Sequence, residues 1–257
     1  MGVRVDYDRI AHLYDEPSRA HDVDPHLLAF LEATDDETAA TLRVLDVGCG
    51  TGSQLAADRR RLPHVSLIGV DRFAGMLRIA RRRCPDALWV QGDGAALPLG
   101  SATCDYATSQ FAYPHVRNPR RLIAEIHRVL RPGGRLVITN IDPWSMPGWA
   151  IYRFFPEALA IDREDFLPVA DLVSLLGSAG FGHVRASRRS LPTEERYEDF
   201  VALVTERHRA SQLMAIPDAA YAAGLDRVRA AADAAAAEGR QAFESEFVLV
   251  TISADRL

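Results

Sequence analysis

Val44-Leu45-Asp46-Val47-Gly48-Cys49-Gly50-Thr51-Gly52 decides the reading of the chain. A short apolar run of strand character enters a glycine-rich turn, and Ser53 to Arg61 beyond it has a helical pattern. Glycines at such a turn let backbone approach a ligand where side chains would collide, which points to a nucleotide-like molecule. Asp71 closes the next strand candidate, Leu67-Ile68-Gly69-Val70-Asp71, where a carboxylate meets the ligand at the carboxyl edge of a sheet and can accept bonds from both hydroxyls of a ribose. A glycine loop alone is weak evidence, because dinucleotide enzymes share the strand, loop and acid layout. Here the glycines fall as GxGxG, Ser53 follows Gly52, and Asp46 precedes the loop where a nicotinamide enzyme usually carries an apolar residue. Such a loop has no pyrophosphate to cradle, and an acid beside it can engage a cationic amine directly or through water.

Outward from the loop, Leu42 to Ile141 alternates β-rich runs with helical patterns, as repeated βαβ units do. The strand candidates are Arg43 to Val47, Ser66 to Val70, Ala87 to Gln91, Asp105 to Ser109 and Arg135 to Asn140; the helices are Ser53 to Arg61, Ala74 to Arg83 and Pro119 to Leu130. Arg131-Pro132-Gly133-Gly134 is expected to end the last helix and turn into the fifth strand. Val169 to Ala179 reads as a further helix stopped by Gly180, and Phe247 to Ser253 as a closing strand. The expected architecture is α/β, a mostly parallel sheet with helices on both faces and a helical cap. One domain is expected over 1–257, with a core at about 38–141 plus 169–191 and 244–257, and cap elements at about 1–34, 142–168 and 192–243.

A chain of 257 residues, 48% hydrophobic and 25% charged, has the composition of an ordinary globular protein of that size. Its net charge of -5 disfavours nucleic acid as a partner. The runs Arg59-Arg60-Arg61 and Arg81-Arg82-Arg83 sit at helix ends, where cations suit the helix dipole; anion contacts are the alternative. Cys49, Cys84 and Cys104 lack metal or disulfide spacing, which suggests a reducing compartment and a cytoplasmic location. Met1 to Asp6 lacks the apolar run of a signal peptide, Asp6 stands where a myristoylation signal has Ser or Thr, and no stretch is apolar enough to cross a membrane.

Asp46-Val47-Gly48-Cys49-Gly50-Thr51-Gly52 resembles the first motif of class I, Rossmann-like S-adenosylmethionine-dependent methyltransferases, and later motifs follow in order across most of the core. Gly92-Asp93-Gly94-Ala95-Ala96-Leu97-Pro98-Leu99 resembles the segment after the third strand that binds adenine. Asp105 to Val116 resembles the fourth-strand motif, and Leu130 to Leu136 the turn into the fifth. Tyr7 to Asp15 resembles the opening of quinone-biosynthesis-like and natural-product methyltransferases, where this segment folds over the cofactor.

The resemblance implies S-adenosyl-L-methionine as cofactor and S-adenosyl-L-homocysteine as product. It places Gly48, Cys49, Gly50 and Gly52 in the cofactor loop, with Asp46 on the amino-acid part, Asp71 on the ribose and Asp93 with Gly94 on the adenine. Tyr14, Arg72, Met76, Ser109 and Gln110 are further cofactor contacts by the same analogy, with Tyr7 after Tyr14; the alternative for the two tyrosines is to anchor an amphipathic cap helix, and it weighs more for Tyr7.

Methyl transfer needs alignment in a dry site, and a base only if the nucleophile carries a proton. His115, with an intrinsic pKa near ~6.5, is the candidate base or else a packing histidine. Tyr113 is a candidate for orienting substrate, but Pro114 stands where the family often has histidine. Ser109-Gln110-Phe111 lacks the Asn-Pro-Pro-aromatic arrangement of nucleobase methylation, and Ser109 supplies no carboxylate to join Asn140 and Asp142 in a metal site, so none is expected.

Trp144, Met146, Trp149, Tyr152, Phe154, Phe155 and Phe166 can wall an apolar pocket, pack a core or form an oligomer contact. The expected substrate is a small, hydrophobic or aromatic metabolite methylated on O, N or C, with oligomeric state open. A protein of this fold that binds the cofactor without transferring its methyl is the rival reading, and a nicotinamide oxidoreductase a third.

Overall fold

The computed structural model describes residues 5–14, 22–35, 39 and 41–257. The readings made on Met1 to Arg4, on Asp15 and on a core beginning at position 38 fall outside the described residues.

Seven strands form one sheet: β1 (Arg43–Val47), β2 (Ser66–Asp71), β3 (Leu88–Gln91), β4 (Cys104–Gln110), β5 (Leu130–Ile141), β6 (Phe181–Arg196) and β7 (Ala242–Arg256), in the order β3-β2-β1-β4-β5-β7-β6. The first five pair in parallel. From β1 the chain winds outward through β2 to β3, then crosses back to place β4 on the other side of β1. That reversal opens a crevice at the carboxyl ends of β1 and β4, the position in which open parallel sheets bind ligands. Cys104 to Ser109 of β4 are all buried whichever way they point, so both faces of the sheet are covered there.

The helices of the core follow from their apolar faces. Ser53–Arg61 buries Leu55, Ala56 and Ala57; Ala74–Arg83 buries Met76, Leu77, Ile79 and Ala80; Pro119–Val129 buries Leu122, Ile123, Ile126 and Val129. The last starts on the Asn118 side chain, which accepts from the Arg121 N–H, with Pro119 at a position that needs no donor. Trp89 and Tyr106 lie in the main core with Leu45-flanking Val44, Leu55 and Leu77.

Three stretches depart from expectation. Leu130 already pairs with Cys104, and pairing resumes at Arg135 with Tyr106, so Pro132-Gly133-Gly134 bulges out within a strand instead of separating a helix from one. Strand β6 has no counterpart in the sequence reading, because Arg185 to Ser190 is exposed throughout and shows no apolar alternation. It lies at the edge of the sheet, where charge discourages unwanted pairing. Strand β7 runs well beyond the expected 247–253.

By internal contacts the chain falls into two compact units, one of Asp6–Asn140, Val169–Ser187 and Thr251–Leu257, the other of Met1–Val5, Ile141–Pro168 and Arg188–Val250. In the first, the Asp8 carboxylate accepts the Gly75 N–H at 2.6 Å, tying the opening helix Tyr7–Ile10 to the start of Ala74–Arg83. In the second, Phe243 packs edge to face with Phe154 and with Phe200, whose own rings meet at a tilt, and Tyr152 donates at 2.6 Å to a buried Asp162 whose carboxyl is pushed up to about 6 by burial. Among the described residues no helix is long and apolar enough to cross a membrane.

Candidate functional site

The glycine loop is fixed from three sides. Gly48 and Cys49 both donate N–H bonds to the Val70 carbonyl, at 2.8 and 3.2 Å, which holds the loop against the end of β2. Gly50 donates its N–H to the Asp71 carboxylate at 2.9 Å. Arg83 reaches across to donate to the Thr51 carbonyl at 2.9 Å, to its hydroxyl at 2.6 Å, and to the Ser53 hydroxyl.

The three glycines serve different ends. A Cβ on Gly48, whose φ is +79, would land 2.3 Å from the Ala112 Cβ, and one on Gly52 would land 2.5 Å from the Trp89 ring, so both admit protein neighbours. Gly50, with φ at +51, is different: nothing lies within 4 Å of the position its Cβ would take. Its missing side chain leaves space beside a loop whose conformation is already left-handed.

Asp46, Asp71 and Asp93 follow one another at the tips of β1, β2 and just beyond β3. Asp71 is locked in place, since its two oxygens accept the N–H groups of Phe73 and Gly50, each at 2.9 Å. Burial raises its carboxyl above the usual range, against the lowering effect of those same N–H groups. Asp93 is exposed and accepts the Ala95 N–H at 2.9 Å, which forms the tight turn leading to Ala96. Asp46 is 3% exposed, and burial first, then the negative charge of Asp58, Asp71 and Asp24, pushes its carboxyl well up.

Beside Asp46 lies an incomplete set of hydrogen bonds. The Asp46 Oδ1, the Thr108 Oγ1 and the Ser109 Oγ are all buried without a partner, and Asp46 sits directly opposite Thr108 in the β1–β4 ladder. Folded chains satisfy almost all such atoms, so Asp46 and Thr108, in register and therefore on the same face of the sheet, mark a place where something else supplies the partners, while Ser109, next along β4, points to the other face. A ligand bearing a cation and hydroxyls fits that donor set and the space beside Gly50.

The remaining sequence candidates are placed as follows. The Cys49 thiol packs into the core with Trp89, and burial first, then Asp46 and Asp71, pushes it up, so only its backbone faces the loop. Met76 is buried in a cluster with Ala11, Ile79, Tyr7, Tyr14 and Phe73. Arg72 is exposed and lies over the Phe73 ring at 5.3 Å, its carbonyl accepting from Gln91. A Cβ on Gly94 would meet Leu122 at 2.9 Å, and Gln110, half-buried, ends β4. Tyr113 is buried in a short 3-10 turn with His115, and the His115 Nε2 is 3.4 Å from the Tyr7 hydroxyl. The Tyr7 ring also meets Tyr14 at 5.7 Å and Phe73 at 5.4 Å. In the other unit, Asp142 is bound by Ser145 and Arg188, each at 2.6 Å, which occupies it as an ion-pair partner.

Several site groups escaped the sequence reading. Thr108 and Asp8 lie within segments that were read as motifs but were given no contact of their own, Phe73 carries no motif, and Arg83 read as one of three solvated arginines. A buried network beneath the loop was also missed: Asp58 accepts from the Asp24 N–H and the Gln54 amide, both at 2.9 Å, while the Tyr106 hydroxyl donates to Asp24 at 2.8 Å. Burial pushes the Asp58 carboxyl up to about 6. Among the described residues, no group of three or more metal-binding side chains is gathered.

A family model described as a methyltransferase domain matches residues 45–138, the stretch that carries the loop, the strand-tip acids and most of β5. A demethylmenaquinone methyltransferase of Thermus thermophilus is 32% identical over 169 residues, covering 55% of this chain and 75% of that protein. One from Paenarthrobacter aurescens is 30% identical over 152 residues, covering 55% of this chain and 58% of its own length, so this chain spans little more than half of that relative. Among solved structures, one from Anabaena variabilis described as a methyltransferase of an antibiotic biosynthesis pathway superposes with a TM-score of 0.64 over 92% of this chain and 99% of that one, at 16% identity, which speaks for the fold alone. The chain belongs to the class I S-adenosylmethionine-dependent methyltransferases.

Proposed function

We propose that the chain transfers a methyl group from S-adenosylmethionine to an O, N or C nucleophile of a small hydrophobic or aromatic metabolite. The observations that support this reading are the positions of Asp46, Asp71 and Asp93 at the ends of three neighbouring strands, the space beside Gly50, and the buried atoms of Asp46 and Thr108 that lack partners. Bound there, the cofactor supplies an electrophilic methyl carbon on a sulfonium.

The chain's own groups hold and orient. Asp46, with Thr108 beside it, receives the ammonium end, and a cation there relieves the charge that crowds the buried carboxyl. Asp71 takes the ribose hydroxyls on lone pairs left free by Gly50 and Phe73, and Asp93 with Gly94 takes the adenine edge. Gly48, Cys49, Gly50 and Gly52 give the loop its path, while Ser109, Gln110, Arg72, Met76 and Tyr14 border the same strand tips. His115 accepts the proton of a hydroxyl or amine nucleophile, its ring braced by Tyr7, and Tyr113 sets the backbone that carries it.

An apolar acceptor suits the rings around Tyr7, and the relatives named for demethylmenaquinone methylation support a ring-bearing substrate. A net charge of -5 weighs against phosphate-rich polymers as substrates, and three buried thiols suit a reducing compartment such as the cytoplasm. The test is production of S-adenosylhomocysteine from S-adenosylmethionine with a panel of naphthoquinols, phenols and amines. Product formation that depends on one acceptor is expected; cofactor binding with no turnover on any acceptor would favour a binding protein on the same fold.

A further inference from the structure

We infer that Phe111 is a specificity-determining residue, its ring forming an aromatic contact for a planar acceptor at the end of β4; the inference rests on the methyltransferase reading above. Phe111 directly follows β4, at φ +53, in the left-handed region that favours glycine. The backbone route explains the dihedral. Phe111 donates its N–H to the Thr139 carbonyl at 2.9 Å, and the chain then turns to seat Ala112 against Gly48 and to open the short turn Tyr113–His115.

Nothing in that route requires a phenyl ring. Glycine would take the same dihedral without the steric cost a Cβ brings, and would keep the N–H bond to Thr139. Nor does the ring stabilise the fold by burial, since Phe111 is 46% exposed and is one of only five large apolar side chains that are exposed among the described residues. The fold therefore bears an unfavourable dihedral and a solvated aromatic at one residue.

Among the described residues, two other non-glycine residues share a positive φ, Ala102 and His183. Ala102 precedes β4, at the opposite edge of the sheet from the crevice, and His183 lies within β6 beside Asp255. Phe111 alone of the three stands at the carboxyl edge, four residues before His115. A large ring at a glycine-like position, on the same stretch after β4 as the group proposed to accept the nucleophile's proton, fits a contact made with acceptor. Its chemistry selects flat, apolar molecules, because rings attract rings by offset or edge-to-face packing.

The test uses 2-naphthol as probe, titrated into the full chain saturated with S-adenosylhomocysteine, with Phe111→Gly and Phe111→Tyr alongside. The expected result is that wild type and F111Y bind the probe, that F111G binds it about five-fold or more weakly, and that all three bind S-adenosylhomocysteine within two-fold. F111G should also melt at the same temperature or higher. The inference is overturned if the loaded wild type does not bind 2-naphthol, if F111G binds it as wild type does, or if F111G melts lower, which would make Phe111 a packing residue. Failure of wild type to bind S-adenosylhomocysteine would be a separate result, against the methyltransferase reading itself.

Discussion

The tips of β1 and β2 and the segment that follows β4 are built on opposite principles. At the first, backbone N–H groups and Arg83 hold the glycine loop and orient the Asp71 carboxylate before any ligand arrives. At the second, His115 and Tyr113 are placed by a short 3-10 turn and by ring contacts, and the contact from His115 to Tyr7 is long for a hydrogen bond at 3.4 Å. A rigid, preorganised half suits a cofactor that never changes, whereas a half lined with rings can be retuned to different acceptors without disturbing the first.

Substitutions on each side should therefore separate binding from turnover. The largest effect is expected at His115: replacement by alanine should lower kcat by about 100-fold or more on a hydroxyl or amine acceptor, with affinity for S-adenosylhomocysteine unchanged. Equal turnover in steady-state kinetics would remove His115 from the chemistry.

Next comes the network beneath the loop. The Asp58 carboxyl is raised to about 6 from 3.8, so the folded state holds its proton more tightly than the unfolded chain does. That favours folding at low pH and turns into a cost as pH rises from about 4 through about 6. Asp58→Asn should accordingly stabilise the chain at pH 8 by up to about 3 kcal/mol and make little difference near pH 4, as read by denaturant melts at the two pH values. A variant destabilised at pH 8 would mean that the charged carboxylate is needed where it is.

Arg83→Ala should loosen the glycine loop and weaken S-adenosylhomocysteine binding by about ten-fold, with Arg83→Lys recovering part of it; unchanged affinity would show that the loop holds itself. The smallest effect belongs to Tyr7→Phe, which removes one hydroxyl but keeps the ring. A fall in kcat of about three-fold without a change in cofactor affinity is expected, and a larger loss would make Tyr7 more than a brace.

How much of this could be read from sequence follows the same division. The strand-tip acids were legible because loop, strand and acid are spaced along one stretch of chain, and Arg43–Val47, Ser53–Arg61 and Ala74–Arg83 form as their patterns predict. Contacts between distant segments left no such trace. Asp8 on Gly75, Tyr7 on His115 and Arg83 on Thr51 join residues 67, 108 and 32 positions apart. Strand β6 was invisible for another reason: an edge strand with exposed arginines has no apolar face to print a period of two on the sequence.

The central claim is that the acids at neighbouring strand tips hold one adenosyl group. Calorimetric titration of S-adenosylhomocysteine into wild type and Asp71→Ala tests it most directly, with circular dichroism to show that both are folded. The account predicts binding by wild type and a loss of about 100-fold or more in the variant, since a buried, preoriented carboxylate accepting two hydroxyls is removed. Equal affinity in the two folded proteins would contradict it.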